Sequence, residues 1–333
     1  MKAIIFKNRK LEDKIDYNTP TLTKPTQILI KIKAAAVNPI DLQMFQGKNE
    51  ARVLNSNILG RELSGTIEKV GESVKKFKTG DEVYLAVLDM GSNGAFAEYV
   101  VVEEEIVALK PSNISFLQAA TIPVSYVTAW QVATRLNQPK TSSIFIFGAS
   151  GSVGKALINL LHHFGYHNIK GTAGNEQSVE QLMKQKLKKE NLIHYKSDNL
   201  SDEIIKANEG TLYDVVIDCI GNEMTEIGAK VLRREGLYID ITNMKTDNAA
   251  YTLFRKAAVI MNISRYSEPE LFCKYGEILD SLSKLINVND WYLQEFMDLG
   301  ELSSDNLYEA FNLLETNRTK GKKVVLHPSY LLN

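Results

Sequence analysis

The residues best suited to chemistry form a glycine-containing loop at 148–154, Gly-Ala-Ser-Gly-Ser-Val-Gly. An apolar stretch precedes the loop, and apolar residues at helical spacing follow it: Val153, Leu157, Leu160, Leu161 and Phe164. Gly151 would let the backbone approach a diphosphate, and Gly154 would let a helix pack against a sheet. N–H groups at the helix start would then face the anion. This context predicts a dinucleotide site, although a purely structural turn could use the same glycines.

The choice of dinucleotide is predicted from the end of the second strand of such a fold. An acidic residue roughly 20 residues beyond the glycines would bind the ribose hydroxyls of NAD. No acid stands at that place in 169–175, and a carboxylate there would repel a 2′-phosphate. Glu176 follows directly, and we interpret it as stabilising the first turn of the next helix, with Asn175 as N-cap. The sequence therefore predicts NADPH.

Two textures along the chain indicate the elements that hold this loop. In the first third, short β-like runs are separated by turns containing glycine, which indicates an antiparallel, barrel-like unit. From residue 143, apolar strands alternate with helical periodicity, which indicates βαβ units, a parallel sheet and a domain boundary near 120–130. The predicted strands are 1–6, 27–33, 64–70, 82–87, 97–102, 143–147, 168–173, 192–195, 214–220, 236–241, 258–264 and 322–326, with late helices at 270–285 and 305–314.

Composition excludes several classes of protein. The chain has 333 residues, 44% of them hydrophobic, and a formal net charge of -1 with basic residues spread along it, so a nucleic-acid partner is not expected. No stretch approaches the roughly 20 apolar residues of a membrane span, and no secretory leader is apparent. Two distant cysteines support neither a disulfide framework nor a thiolate zinc site. We expect a soluble protein of the reducing cytoplasm.

Motifs spread over nearly the whole chain resemble those of the medium-chain dehydrogenase/reductases, and in particular the zinc-independent quinone oxidoreductases that include zeta-crystallin. Besides the glycine loop, the motifs are Val-Asn-Pro-Ile-Asp at 37–41, Gly-Arg-Glu-Leu-Ser-Gly at 60–65, Val-Gly at 70–71, Gly-Asp-Glu-Val at 80–83, Gly-Ala-Phe-Ala-Glu-Tyr-Val at 94–100, Thr-Ala-Trp at 128–130, Asp-Val-Val-Ile-Asp-Cys-Ile-Gly at 214–221 and Gly-Lys-Lys-Val-Val at 321–325.

The resemblance implies an α/β protein with two domains. One is a GroES-like β-barrel catalytic domain, residues 1–124 completed by about 268–333. The other is a Rossmann domain with a doubly wound parallel sheet, residues 125–267, which would bind NADP. It also implies a homodimer, formed through the exposed edge strand near 258–264.

Zinc-dependent relatives in that superfamily hold a catalytic zinc with Cys, His and Cys, and the matching positions here are Asn38, Arg61 and Val124. An amide is a poor zinc ligand, a guanidinium is permanently cationic, and valine has no donor atom. Ile40 also replaces the hydroxyl that begins the proton relay of the alcohol dehydrogenases. The resemblance therefore implies catalysis with no bound metal.

The resemblance also assigns site residues. It places Asn38 and Thr128 beside the nicotinamide as catalytic and cofactor-binding residues, with Asn38 as the polar contact for the reacting oxygen. Ser178 stands where many relatives carry a Lys for the 2′-phosphate. The remaining cofactor contacts that it implies are Ser150, Gly151, Ser152, Val153, Gly154, Gly171, Gly174, Asn175, Ser178, Tyr195, Cys219, Ile220, Gly221, Ile241, Thr242 and Lys322.

Three residues near these keep alternative interpretations. Asp41 could simply cap a helix-like segment at 42–46. Arg61 could bind an anion in the cleft or pair with Glu62 or another carboxylate. Cys219 is interpreted as a small core residue, because no activating partner is visible in the sequence.

The function that follows is transfer of reducing equivalents from NADPH to a quinone or conjugated carbonyl compound. Such acceptors spread incoming negative charge over a π-system, so they need less electrophilic help than an isolated ketone. Two alternatives stay open: an NADPH-dependent 2-alkenal or enoyl reductase, and an NADPH-binding redox sensor with little turnover, since a fold does not fix function.

Overall fold

The computed structural model describes residues 1–47, 56–86, 93–264, 273–289 and 291–329, which form two compact units. The first unit comprises the described residues within Met1–Val127, Glu268–Asp290 and Gln294–Asn333, and the second those within Thr128–Ser267 and Trp291–Leu293. The division near residue 127 falls inside a helix, Pro123–Arg135. The predicted end of the second domain, at residue 267, lies outside the described residues.

The first unit is built mainly of β-strands. Its described strands are β1 Ala3–Lys7, β2 Lys10–Lys14, β3 Gln27–Val37, β4 Glu62–Val70, β5 Glu82–Ala86, β6 Tyr99–Glu103, β7 Ala108–Leu109, β14 Phe296–Glu301 and β15 Lys323–His327. Seven of these form one sheet in the order β14-β15-β3-β4-β5-β7, with β6 also paired to β3, while β1 and β2 form a hairpin. The late strands β14 and β15 therefore complete a sheet begun by the first third of the chain.

Strand β3 lies at the centre of that sheet. Its first half alternates, because Ile28, Ile30 and Ile32 are fully buried while the residues between them are half-buried. Its second half, Ala34 to Val37, is buried on both faces. This explains why β3 runs four residues beyond the predicted strand: the small residues carry no alternation for a period-two pattern to detect.

The first unit also holds helices α1 Pro39–Phe45, α2 Phe116–Ala120, α9 Cys273–Val288 and α10 Ser304–Glu315, and the helix across the division is α3 Pro123–Arg135. Helix α1 begins at Pro39 because proline needs no N–H partner in the first turn. Asn38 is its N-cap, and Asp41 accepts the backbone N–H of Asn38 at 2.8 Å. Asp41 therefore sits in the first turn and not, as expected, before the helix.

The second unit is an α/β layer structure. Its strands are β8 Ile144–Phe147, β9 Ile169–Ala173, β10 Leu192–His194, β11 Tyr213–Asp218, β12 Leu232–Asp240 and β13 Val259–Asn262, and its helices are α4 Ser152–His163, α5 Glu176–Lys184, α6 Leu200–Ala207, α7 Met224–Val231 and α8 Asp247–Arg255. All pairs are parallel, in the order β10-β9-β8-β11-β12-β13. This is the strand order of a dinucleotide-binding fold, with β8 and β11 meeting where the order reverses.

Burial explains why this sheet could be predicted. Each of the four residues of β8 is fully buried, as expected of a central parallel strand covered by helices on both faces. Phe145, Phe147, Val216 and Tyr238 share one core cluster with residues of α6, α7 and α8. On the apolar face of α4, Leu157, Leu160 and Leu161 are fully buried.

Other strands and helices differ from the predictions for physical reasons. Strand β2 reads Lys-Leu-Glu-Asp-Lys, and only its Leu is buried, so it lacks an apolar pattern. It forms because Asn8 and Arg9 both adopt positive φ, which makes a tight hairpin with β1. Strand β14 is also absent from the predicted strands, because its residues are half-buried or exposed and show no buried alternation. The predicted start of the late helix, residue 270, and the predicted end of β5, residue 87, lie outside the described residues.

None of the helices in the described ranges has the length and apolar character needed to cross a membrane.

Candidate active site

The glycine loop joins β8 to α4 in the second unit. Gly148 follows β8 with φ of +76°, a conformation that favours glycine, and accepts the N–H of Gly151 at 2.9 Å. Gly151 is the N-cap of α4, and having no side chain it supplies no cap to the first turn. A Cβ on Gly154 would lie 2.3 Å from the Gly148 carbonyl oxygen. The helix can therefore begin directly against the strand only with glycine at 154.

Two further glycines allow close contacts, one between β9 and this loop and one between the residues that follow β9 and β10. A Cβ on Gly171, in β9, would lie 2.6 Å from the Ala149 Cβ. A Cβ on Gly174 would lie 2.7 Å from the Tyr195 ring, which follows β10. The predicted residues 150–154, 171, 174, 175 and 195 thus lie along the carboxyl edge of neighbouring parallel strands, where ligands bind in such sheets.

Aspartates shape the loops that follow β11 and β12. Asp218 Oδ1 accepts the N–H groups of Ile220 and Gly221, both at 2.9 Å. Asp240 Oδ1 likewise accepts the N–H groups of Thr242 and Asn243 at 2.9 Å, and its other oxygen pairs with Lys245.

The two loops meet, since a Cβ on Gly221 would lie 2.7 Å from the Thr242 hydroxyl. This contact brings together the predicted cofactor residues that follow β11 and β12, at the carboxyl edge of the sheet: Cys219, Ile220, Gly221, Ile241 and Thr242. The sequence analysis did not assign Asp218 or Asp240 to the site. The signal that could have identified them is an aspartate as the last residue of a strand, where its side chain can accept N–H groups of the following turn.

Cys219 is partly buried, and desolvation, followed by the neighbouring Asp218 carboxylate, raises the pKa of its thiol well above the usual range. A thiol held in this state is a poor nucleophile, in keeping with the interpretation of Cys219 as a packing residue.

Ser178 has a structural contact at the start of α5. Its backbone N–H donates to Asn175 Oδ1 at 2.8 Å, which confirms Asn175 as the N-cap, and Ser178 is buried.

A cation and two rings lie instead at the end of β10 and directly after it. The His194 and Tyr195 rings are parallel, 5.8 Å apart, and Lys196 Nζ lies 5.8 Å from the Tyr195 centroid. His194 Nε2 donates to the Gly174 carbonyl at 2.9 Å, because that oxygen can only accept, and Nδ1 accepts the Lys196 N–H at 3.3 Å. The sequence assigned Tyr195 alone from this group.

These residues fit a dinucleotide. A 12-residue helix begins at a glycine with no capping side chain, and the surrounding glycines keep the strand ends free of Cβ atoms. A diphosphate is the group that such a helix N-terminus favours.

Asn38 lies in the first unit within a buried polar cluster, which we call the Lys323 cluster: Asn38, Glu62, Lys323 and the backbone of Val124. Lys323 Nζ lies 2.6 Å from Asn38 Oδ1 and 2.6 Å from Glu62 Oε1. Asn38 Nδ2 donates to Glu62 Oε1 at 2.9 Å, and the Val124 N–H donates to Glu62 Oε2 at 2.8 Å. The cluster therefore joins two of the positions that correspond to zinc ligands, 38 and 124.

This cluster does not fit a zinc ion. An ammonium group already lies at hydrogen-bond distance from both oxygens, and Val124 contributes only a backbone N–H, which is a donor. Arg61 at the remaining position is buried and brings a further permanent positive charge. Within the described ranges, His, Cys, Asp and Glu form no group of three or more that could hold a metal.

Asp41 is the other buried acid beside this cluster. Desolvation raises the pKa of its carboxyl to about 6, against the opposing effects of the Asn38 N–H and the Arg61 guanidinium. Its Oδ1 has no hydrogen-bond partner among the described residues. Arg61 Nη2 lies 3.5 Å from Met44 Sδ, so the structure shows Arg61 as a buried cation near Asp41.

Lys322, a predicted cofactor contact, forms an ion pair outside this cluster. Lys322 Nζ is 3.2 Å from Glu295 Oε2 in a half-buried ion pair, so its neighbour Lys323 is the lysine that contacts Asn38. Lys323 is the first residue of β15, which the sheet register brings to Asn38, whereas Lys322 precedes the strand. Thr128 is buried in α3 and belongs to the second unit.

Comparison with known proteins gives the family. Residues 24–112 match the alcohol dehydrogenase GroES-like domain, and residues 152–279 match the zinc-binding dehydrogenase family. The chain is 33% identical over 312 residues to the 2-methylene-furan-3-one reductase of Solanum lycopersicum, covering 92% of this chain and 72% of that protein. It is 31% identical over 310 residues to the chloroplastic NADPH-dependent alkenal/one oxidoreductase of Arabidopsis thaliana, covering 91% and 72%.

Among solved structures, the quinone oxidoreductase of Coxiella burnetii superposes with a TM-score of 0.80 at 25% identity, over 98% of this chain and 99% of that one. Together with the parallel sheet, these matches confirm the predicted fold class, a GroES-like unit plus a Rossmann unit. The chain is therefore an oxidoreductase of the medium-chain dehydrogenase/reductase superfamily, in its quinone oxidoreductase-like branch.

Proposed function

We propose that this protein is an NADPH-dependent reductase of conjugated carbonyl compounds, namely quinones and enones, and that it works with no bound zinc. The observation that carries the proposal is the Lys323 cluster, which puts an ammonium, an amide and a carboxylate where zinc-dependent relatives hold their metal. Two relatives named as reductases of a methylene-furanone and of alkenals and enones support this acceptor class.

Asn38 suits the reduction of a conjugated carbonyl. Its amide nitrogen has two hydrogens, and Glu62 accepts one of them, so we assign the other to the substrate oxygen. The bound nicotinamide would supply the hydride. A single amide donor suffices for these acceptors because conjugation disperses the negative charge that reaches the oxygen. We propose Thr128 as the second residue beside the nicotinamide ring.

The cofactor contacts are proposed as three groups along the carboxyl edge of the parallel sheet. Residues 150–154 would hold the diphosphate at the start of α4, where the backbone is accessible and the helix dipole favours an anion. The loops after β11 and β12, fixed by Asp218 and Asp240, would lie along the nicotinamide half. Gly171, Gly174, Asn175, Ser178 and Tyr195 would line the adenosine ribose, and Lys322 remains a proposed cofactor contact.

NADPH is proposed over NADH because of the residues after β10. Lys196 provides a cation beside Tyr195, while the uncharged side chain of Ser178 provides none. A lysine beside an aromatic ring and a histidine is a suitable partner for a 2′-phosphate. The name of the Arabidopsis relative, which specifies NADPH, supports the same choice.

A homodimer is proposed through β13. This strand ends the described sheet order and exposes Val259 and Ile260. An apolar edge strand is a template for pairing with another chain. We propose the cytoplasm, because a sequence with only two cysteines is typical of proteins in a reducing compartment.

The test is an acceptor panel with purified protein and NADPH. We expect enones and quinones to consume NADPH and saturated ketones to leave it unchanged, with chromatography showing saturation of the alkene in enone products. A sample that binds NADPH in a fluorescence titration but consumes none with any acceptor would overturn the proposal and favour a redox sensor. If enones are reduced faster than quinones, the protein is better described as a 2-alkenal or enoyl reductase.

A further inference from the structure

The sheet register brings the Lys323 cluster together. Strand β15 pairs antiparallel with β3, so Val324 lies opposite Val37, and their neighbours Lys323 and Asn38 come close. Strand β4 pairs with β3 on the other side, where Glu62 lies opposite Ala36. The register of three neighbouring strands therefore brings the residues of the cluster together.

All three side chains of the cluster are almost fully buried, with 3%, 0% and 3% exposure for Asn38, Glu62 and Lys323. Buried charges persist only when they are paired and hydrogen-bonded. Lys323 and Glu62 satisfy each other at 2.6 Å, and Asn38 contacts both, accepting from Lys323 through Oδ1 and donating to Glu62 through Nδ2.

These contacts allow one orientation of the Asn38 amide. Rotating the amide by half a turn would place its NH2 group against the Lys323 ammonium and its oxygen against the Glu62 carboxylate, and both contacts would be repulsive. The ammonium on the amide oxygen also withdraws electron density from the amide nitrogen, which strengthens its N–H groups as donors.

We propose that Lys323 is a positioning residue for the reaction, with Glu62 as its counter-ion. It holds Asn38 so that one amide N–H faces the carbonyl oxygen of the acceptor, and it supplies the fixed positive charge behind that donor. This inference rests on the proposed function, because it assigns to Lys323 the polarisation of the same substrate oxygen.

A structural ion pair would show the same distances, so the experiment must separate folding from positioning. K323M alone leaves Glu62 as an uncompensated buried charge, which is a severe defect in stability. The double variant K323M/E62Q removes both charges and restores neutrality. The glutamine amide that E62Q introduces can accept or donate, so it holds the Asn38 amide in either orientation.

For the double variant we expect a melting temperature close to that of the wild type, unchanged NADPH affinity, and kcat lower by at least tenfold. The matched control is K2M/E301Q, which removes the partly exposed Lys2–Glu301 pair of the same unit and should leave kcat unchanged. If K323M/E62Q folds and keeps the wild-type kcat, the proposal is wrong and the pair is only structural.

A second readout needs no turnover. The side-chain amide of Asn38 gives two proton resonances in 15N-labelled protein, assigned by their loss in N38A. We expect them to be shifted and protected from exchange in the wild type, and to move toward ordinary values in K323M/E62Q. Unchanged resonances in the double variant would refute the positioning role. Shifted resonances in a protein that reduces no acceptor would support the positioning and refute the proposed function alone.

Discussion

At the scale of single residues, the first unit buries four charged side chains beside Asn38, although charged side chains are rarely buried in proteins. Asn38, Asp41, Arg61, Glu62 and Lys323 are all buried in the first unit. Asp41 and Glu62 are acidic and Arg61 and Lys323 are basic, and Lys323 pairs directly with Glu62. Desolvation raises the pKa of the Asp41 carboxyl to about 6.

Replacing Asp41 by Asn should remove a pH-dependent part of the stability. The folded pKa of about 6 lies above the ordinary value of 3.8, so the folded state binds this proton more tightly than the unfolded state does. Asp41 therefore contributes most to stability below about pH 4, and that contribution is lost as the pH rises through about 6. The difference is about 3 kcal/mol at neutral pH.

Urea denaturation from pH 4 to 8 measures this effect. D41N should match the wild type near pH 4 and become the more stable protein by pH 7. The control D202N changes an exposed carboxylate and should follow the wild type throughout. A D41N protein that is less stable than the wild type at pH 8 would show that Asp41 is held ionised and paired.

At the scale of elements, the junction between β8 and α4 contains two glycines with different roles, close packing and room for a ligand. A Cβ on Gly154 would meet backbone oxygens at 2.3 and 2.5 Å, whereas a Cβ on Gly151 meets only one atom, at 3.2 Å. One glycine therefore serves packing, while the other leaves room for a ligand.

The variants G151A and G154A should separate the packing role from the ligand-binding role. We expect G154A to lower stability by about 1 to 3 kcal/mol through overpacking, and to weaken dinucleotide binding as well. G151A should keep its melting temperature within a few degrees and still lose most of its NADPH affinity. Thermal melts measure the stability of both variants, and fluorescence titrations measure their NADPH affinity. If G151A binds NADPH as tightly as the wild type does, the assignment of the diphosphate to this loop is wrong.

The loop after β10 carries the prediction for cofactor selectivity. Removing the Lys196 ammonium should weaken NADPH binding about tenfold, the size of one charge-assisted hydrogen bond, and leave NADH binding unchanged. K188A changes an exposed lysine of the same unit and serves as the control. Equal losses for both cofactors in K196A would place Lys196 away from the 2′-phosphate.

The sequence predicted these elements unevenly. The strand-loop-helix junction was readable because β8 is apolar throughout and α4 carries buried leucines at helical spacing. The Lys323 cluster was not, since it depends on the register among β15, β3 and β4, and a register has no local signature. For the same reason Lys322 was chosen for the site from a pair of adjacent lysines. Asp218 and Asp240 were missed because their role lies in turns that form only after the strands end.

At the scale of the whole molecule, two properties can be tested directly: the oligomeric state and the dependence of activity on metal. The proposed dimer would form through β13, where Val259 is 59% exposed at the end of the described sheet. V259D should convert the proposed dimer to a monomer in light scattering, because a carboxylate at a paired edge would be desolvated. V288D, an exposed site on α9, should remain dimeric. A monomeric wild type would refute the dimer.

The central claim is reduction of a conjugated carbonyl by a site that uses a buried ammonium and an amide in place of zinc. The most direct measurement is the rate of enone-dependent NADPH oxidation by protein dialysed against a chelator, with metal content verified, before and after addition of zinc. We predict full activity in the metal-free protein and no gain on adding zinc. Activity that disappears with the metal and returns with one equivalent of zinc would contradict the account.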